Sequence, residues 1–78
     1  MTLDQVPMNT PVTVTAVTAP PAEQRRLTEL GLRHGARVEV LRRAPFGGPL
    51  ALRVADGLLA LRRTQAAGVD VIEEGADA

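Results

Sequence analysis

Apolar and hydroxyl side chains alternate along Val12-Thr13-Val14-Thr15-Ala16-Val17-Thr18, and β-branched residues dominate the run. Successive side chains of a strand point to opposite faces, so this spacing predicts a strand with one buried and one wet face. Leu50-Ala51-Leu52-Arg53-Val54 alternates as cleanly, with Leu50, Leu52 and Val54 on one side. Val38-Glu39-Val40-Leu41 alternates in its first half, and Leu58-Leu59-Ala60-Leu61 and Val69-Asp70-Val71-Ile72 read as two further strands. Ahead of them, Leu3 and Val6 with Pro7 form a lead-in, and Asn9-Thr10 a turn.

Between the first two strands the period changes. Pro20-Pro21 stops the strand and suits a helix start, because a proline in the first turn forfeits no hydrogen bond. Ala22 to Leu30 are mostly good helix formers, with Glu23 near the positive end of the dipole. Gly31 stands where a left-handed cap is needed, and Leu32 follows where such a cap folds an apolar side chain back. Leu27, Leu30 and Leu32 then form one apolar corner, which must dock on the sheet because so short a helix is marginal alone. Arg33-His34-Gly35 is a turn, Ala44-Pro45-Phe46-Gly47-Gly48-Pro49 a loop, and Asp56-Gly57 a tight hairpin. Arg63 to Ala67 fits one helical turn stopped by Gly68.

Five short strands, one short helix and one helical turn predict a mainly β fold. A flat sheet of this size would expose its edges and one apolar face, so the strands should curl into a five-stranded β-barrel with the helix inserted after the first strand. Residues 1–78 read as a single domain, with 74–78 a frayed tail.

The 78 residues include 9 basic and 9 acidic side chains, so no net charge steers the chain toward nucleic acid or anionic lipid. All the basic residues are arginines, and cysteine is absent, which removes disulfides and thiolate metal sites and leaves the apolar core to hold the fold. No apolar run is long enough to cross a bilayer, and Met1–Thr10 lacks the parts of a signal peptide, so the expected location is the cytoplasm without membrane insertion.

Chemistry is sparse. Acyl transfer needs a nucleophile beside an oriented base, and the chain offers only threonines and one imidazole, His34, so no catalytic residue and no enzyme activity is expected. His34 has no cluster of ligands at metal spacing and reads as an exposed turn residue; no metal site and no cofactor is expected. The pairs Arg25-Arg26, Arg42-Arg43 and Arg62-Arg63 are matched by acidic residues, and Phe46 is the lone aromatic, which argues against nucleic acid as a partner. The same lack of Trp and Tyr argues against a proline-helix groove. Two apolar turns remain. The leucines of the helix end serve as cap and core or as a contact surface, and Phe46 either closes the barrel mouth or anchors a partner.

These residues resemble the FeoA family, accessory proteins of bacterial ferrous-iron uptake. The resemblance rests on Arg26-Leu27, Leu30-Gly31-Leu32, Gly35, Val38-Glu39-Val40, the loop from Ala44 to Leu50, Leu59-Ala60-Leu61-Arg62, Ala66 and Val69-Asp70-Val71. It implies an SH3-like barrel and a partner, the GTP-binding membrane transporter FeoB, met at its cytoplasmic side. Two positions depart from the family pattern: His34, where proline is frequent, and Gly48, where an acidic residue is common. Taken with the missing catalytic groups, the resemblance makes the chain a binding module that modulates this transporter. Leu27, Leu30 and Leu32 with Pro45, Phe46, Gly47, Gly48 and Pro49 would supply the contact, and Arg33, Arg42 and Arg43 the rim charges. The alternative is a metal-responsive regulatory domain, binding a transition metal ion like the C-terminal SH3-like domain of iron-dependent repressors.

Overall fold

In the computed structural model, which describes residues 1–55 and 57–74, the strands are β1 (Pro11–Val17), β2 (Arg37–Arg43), β3 (Leu50–Val54), β4 (Gly57–Leu61) and β5 (Val69–Glu73). Helix α1 (Pro21–Glu29) follows β1, and the single turn α2 (Arg63–Ala66) links β4 to β5. All neighbouring pairs are antiparallel, in the order β4-β3-β2-β1-β5. The predicted elements are present within a residue or two. Asp56 of the predicted hairpin and residues 75–78 of the predicted tail lie outside the described residues. Glu74 is anchored rather than frayed: its N–H donates to the Pro11 carbonyl at 3.2 Å, and its carboxylate pairs with Arg37 at 3.0 Å.

The sheet bends because two strands carry an extra residue. The β1–β5 register slips between Val14 and Ala16, and the β2–β3 register between Val40 and Arg42. Each bulge sharpens the local twist and switches which side chains face inward. Val12 and Val14 are buried, Ala16 is exposed, and Val17 turns back toward the core. The unbroken alternation expected through Ala16 is therefore corrected at Thr15, whose hydroxyl instead donates to the Asp70 carbonyl at 3.2 Å.

One core fills the bend: Val12, Val14, Val38, Val40, Leu50, Leu52, Val54, Leu61, Val69 and Val71 from the strands, Leu27 and Leu32 from the helix end, and Ala66 from α2. Leu3 and Val6 complete it and are fully buried, because the lead-in forms a short 3-10 helix, Leu3–Gln5, that caps the core. The barrel is not hydrogen-bonded shut: among the described residues β4 and β5 share no ladder. The outer edge of β5 is met by the N-terminus, through a Thr2–Asp70 bridge and the Val71 N–H donating to the Met1 carbonyl at 2.8 Å.

The helix ends as its glycine predicts. Gly31 adopts φ +105°, its N–H donates to Thr28, and the Leu32 N–H reaches back to the Leu27 carbonyl at 2.9 Å. This pair of bonds is a Schellman cap, and it brings Leu27 and Leu32 into the core together. At its other end α1 is tied to β1 by the Gln24 amide, which donates to the Val17 carbonyl at 3.1 Å.

Candidate functional site

The loop after β2 is built to display one side chain. The β2–β3 ladder ends at the Arg43–Leu50 pair, and the Ala44 N–H closes the loop neck on the Pro49 carbonyl at 3.0 Å. Inside it, Gly48 N–H donates to the Pro45 carbonyl at 3.2 Å, and Phe46 and Gly47 have φ of +59° and +74°. Two successive positive φ values between such partners make a type I′ turn, a geometry that favours Asn, Asp or Gly. A left-handed backbone costs a side-chain-bearing residue on the order of 1–2 kcal/mol. Phe46 nevertheless occupies it, with its ring fully exposed. Of the two roles open to this ring, closing the barrel mouth is excluded; that end of β2 is covered by the N-terminal segment. Pro45, Gly47 and Pro49 are exposed around the tip, while Gly48 is half-buried, with no room for a Cβ against that of Ala44.

The helix corner divides differently from the expectation. Leu27 and Leu32 are core residues and present no surface to a partner, because the Schellman cap turns both inward. Only Leu30, at the cap itself and 45% exposed, is available for contact.

The three arginines divide too. Arg33 and Arg42 are exposed. Arg43 is half-buried, and its guanidinium donates to the carbonyl of Asp4 at 2.8 Å and to that of Val6. This corrects the expectation that Arg43 is a rim charge: it clamps the segment that caps the core. The bulge at Leu41 is the cause, since it puts Arg43, opposite Leu50, on the inward side of β2.

The expected contact residues do not form one surface. Gly31, at the end of α1, abuts Val54, which pairs with Val38 at one end of the β2–β3 ladder. The Phe46 loop leaves the ladder at the other end. At about 3.3 Å per residue, the five residues of β3 set the two patches some 13 Å or more apart along the strands. Leu30 with Arg33 and Phe46 with Arg42 are therefore separate patches.

Sequence reasoning missed a third feature. Arg26, Leu27 and Leu30 of α1 face Leu59, Ala60 and Leu61 of β4 across a groove that also touches Arg62 and Gln65. Leu58 on the same strand is 77% exposed. The signal was present in Gly57–Leu61, an apolar strand without alternation, which reads as buried on both faces unless its neighbours are known. A smaller groove, lined by Arg37, Val38, Glu39, Arg53 and Ala55, lies over the β2–β3 surface. Neither groove sets a nucleophile beside a base. Among the described residues no three His, Asp or Glu side chains converge as a metal site would require, and His34 is exposed in its turn. Among the described residues no helix is long and apolar enough to cross a membrane.

A family model described as the FeoA domain matches residues 1–73. Among solved structures, the chain is similar to the FeoA protein of Chlorobium tepidum, with 40% identity and a TM-score of 0.91, covering 100% of this chain and 74% of that one. It is also similar to FeoA of Stenotrophomonas maltophilia, solved in complex with zinc and described as a prokaryotic SH3 domain protein: 37% identity, TM-score 0.80, covering 92% and 89%. A manganese-dependent transcriptional repressor shares the fold, with 22% identity and a TM-score of 0.84 over 94% of this chain and 41% of the repressor. No curated protein matches.

Proposed function

The chain belongs to the FeoA domain family, and from that premise we propose that it is a non-enzymatic accessory protein of ferrous iron uptake, acting in the cytoplasm by docking on the GTP-dependent transporter FeoB. Iron is the transporter's cargo, and this chain contributes binding, not chemistry. The observation that carries the reading is the Phe46 ring, held fully in solvent on a turn its own backbone disfavours. Backbone strain of this kind persists where the surrounding structure enforces it, and it concentrates at clamps and contact points.

The energetics fit an anchor. Burying a Phe side chain at an interface yields about 1.5–3 kcal/mol, the same order as the strain of presenting it. Its turn is short and cross-braced, so little loop entropy is lost on docking. Arg42, exposed close to the loop, acts as a rim charge that orients the encounter. Leu30 and Arg33 form a second, independent patch.

The test is association of the full chain with the full-length transporter in lipid nanodiscs, measured with GTP, with GDP and without nucleotide. Saturable binding in at least one state is expected, together with a change in GTP turnover when the chain is omitted. Absence of association in all three states contradicts the reading.

A further inference from the structure

The two edges of this sheet are treated differently. The β5 edge is met by the chain's own N-terminus at Thr2 and Met1. The β4 edge has no such cover: among the described residues, Gly57–Leu61 ladders with β3 alone, and no other backbone or side-chain hydrogen bond reaches it. Natural proteins usually protect an edge with charges, proline or a bulge. Gly57-Leu58-Leu59-Ala60-Leu61 has none of these, and its register with β3 is regular throughout.

Beside this edge lies α1, with a groove of about 460 Å³ between them. The helix runs antiparallel to β4. Its Glu23 carboxylate accepts from the Gln65 amide at 2.9 Å near the β4 C-terminus, whereas Gly31 abuts Val54, the β3 partner of Gly57. A strand edge flanked lengthwise by a helix is the geometry in which peptide-recognition domains accept an added strand, with backbone bonds on one side and side-chain pockets on the other. Leu30 and Leu59 give the groove an apolar strip over the buried Leu27 and Leu61, and the larger part of its open surface is polar. Among the described residues its charged members are Arg26 and Arg62, with no acidic residue lining it.

We propose that the slot between α1 and β4 is a β-augmentation site that takes an extended peptide of alternating aliphatic residues flanked by carboxylates. The aliphatic side chains pack on Leu30 and Leu59, the peptide backbone continues the sheet beyond β4, and the carboxylates pair with Arg26 and Arg62. A second copy of this chain fits less well, since its β4 would bring its own Arg62 into an arginine-rimmed groove. The site is separate from the Phe46 tip and does not depend on the transporter being its partner.

The experiment is an NMR titration of the full-length, isotope-labelled chain with the capped peptide acetyl-EVTVTVEE-amide and the charge-reversed acetyl-KVTVTVKK-amide. The acidic peptide should give saturable shifts at Gly57–Arg62 and Arg26–Leu30, new exchange protection along β4, and affinity that falls as salt rises. The basic peptide should bind about tenfold or more weakly, and Arg26→Glu with Arg62→Glu should reverse that preference. Equal binding of both peptides, shifts confined to other surfaces, or no shift overturns the proposal. So does a doubled mass in sedimentation with the same amides broadened in the absence of peptide, which assigns the edge to a second copy.

Discussion

The Arg43 guanidinium donates to the carbonyl oxygen of Asp4 at 2.8 Å, joining the last residue of β2 to a 3-10 helix 39 positions earlier. A second bond to the Val6 carbonyl makes the contact a clamp. Through it, a charged residue of the sheet holds Leu3 and Val6 in the core. Hydrogen bonds to a charged donor contribute about 1.5–3 kcal/mol, more than neutral ones, and the acceptors here are partly shielded from water.

Arg43→Ala should therefore destabilise the protein by about 2–3 kcal/mol, and Arg43→Lys should recover only part of the loss, because an ammonium lacks the planar fork that spans two carbonyls. Arg42→Ala, one residue away on an exposed side chain, should stay within about 0.5 kcal/mol of the parent. Urea denaturation of the three variants measures the contrast; equal losses at 42 and 43 would remove the clamp from the account.

The helix corner makes a sharper comparison. Leu27→Ala and Leu32→Ala each delete a buried side chain and should cost about 2–5 kcal/mol, enough to threaten a domain of 78 residues. Leu30→Ala should cost less than about 1 kcal/mol, since nearly half of that side chain is already in water. Thermal melts of the three variants decide whether the Schellman cap partitions the leucines in this way.

On the sheet, Leu52→Ala and Leu61→Ala should each cost about 2–5 kcal/mol, because both side chains are at most 2% exposed. Leu58→Ala should be close to neutral for folding, as 77% of that side chain is exposed. If Leu52 and Leu61 variants kept the parental melting temperature, the inward face assigned to β3 and β4 would be wrong.

How much of this was legible in the sequence depends on what each feature is made of. The strands were visible because Val12, Val14, Leu50, Leu52 and Val54 carry a period that only a half-buried strand satisfies. The Gly31 cap was visible because a left-handed residue after a helix calls for a glycine. The bulges at Thr15 and Leu41 were invisible, since an extra residue changes register without changing composition. Their consequences were hidden with them: Ala16 turned outward, and Arg43 turned inward where Arg42 looked its equal. Leu3 and Val6 gave no sign of being core because a three-residue helix is too short to establish a period. Phe46 could be narrowed to two roles, and only its backbone angle and full exposure separate them. The positions that the family pattern suggested for contact fell partly in the core and partly at opposite ends of one ladder.

The account rests on Phe46 being held in an unfavourable backbone for the sake of a partner, so stability and binding should move in opposite directions at that one position. Phe46→Asn keeps the type I′ turn and relieves the left-handed strain, so the melting temperature should rise, by an amount equivalent to about 1 kcal/mol. The same variant should bind the full-length transporter in nanodiscs about tenfold or more weakly than the parent. A variant that binds as tightly as the parent, whatever its stability, would contradict the claim that this ring is the anchor.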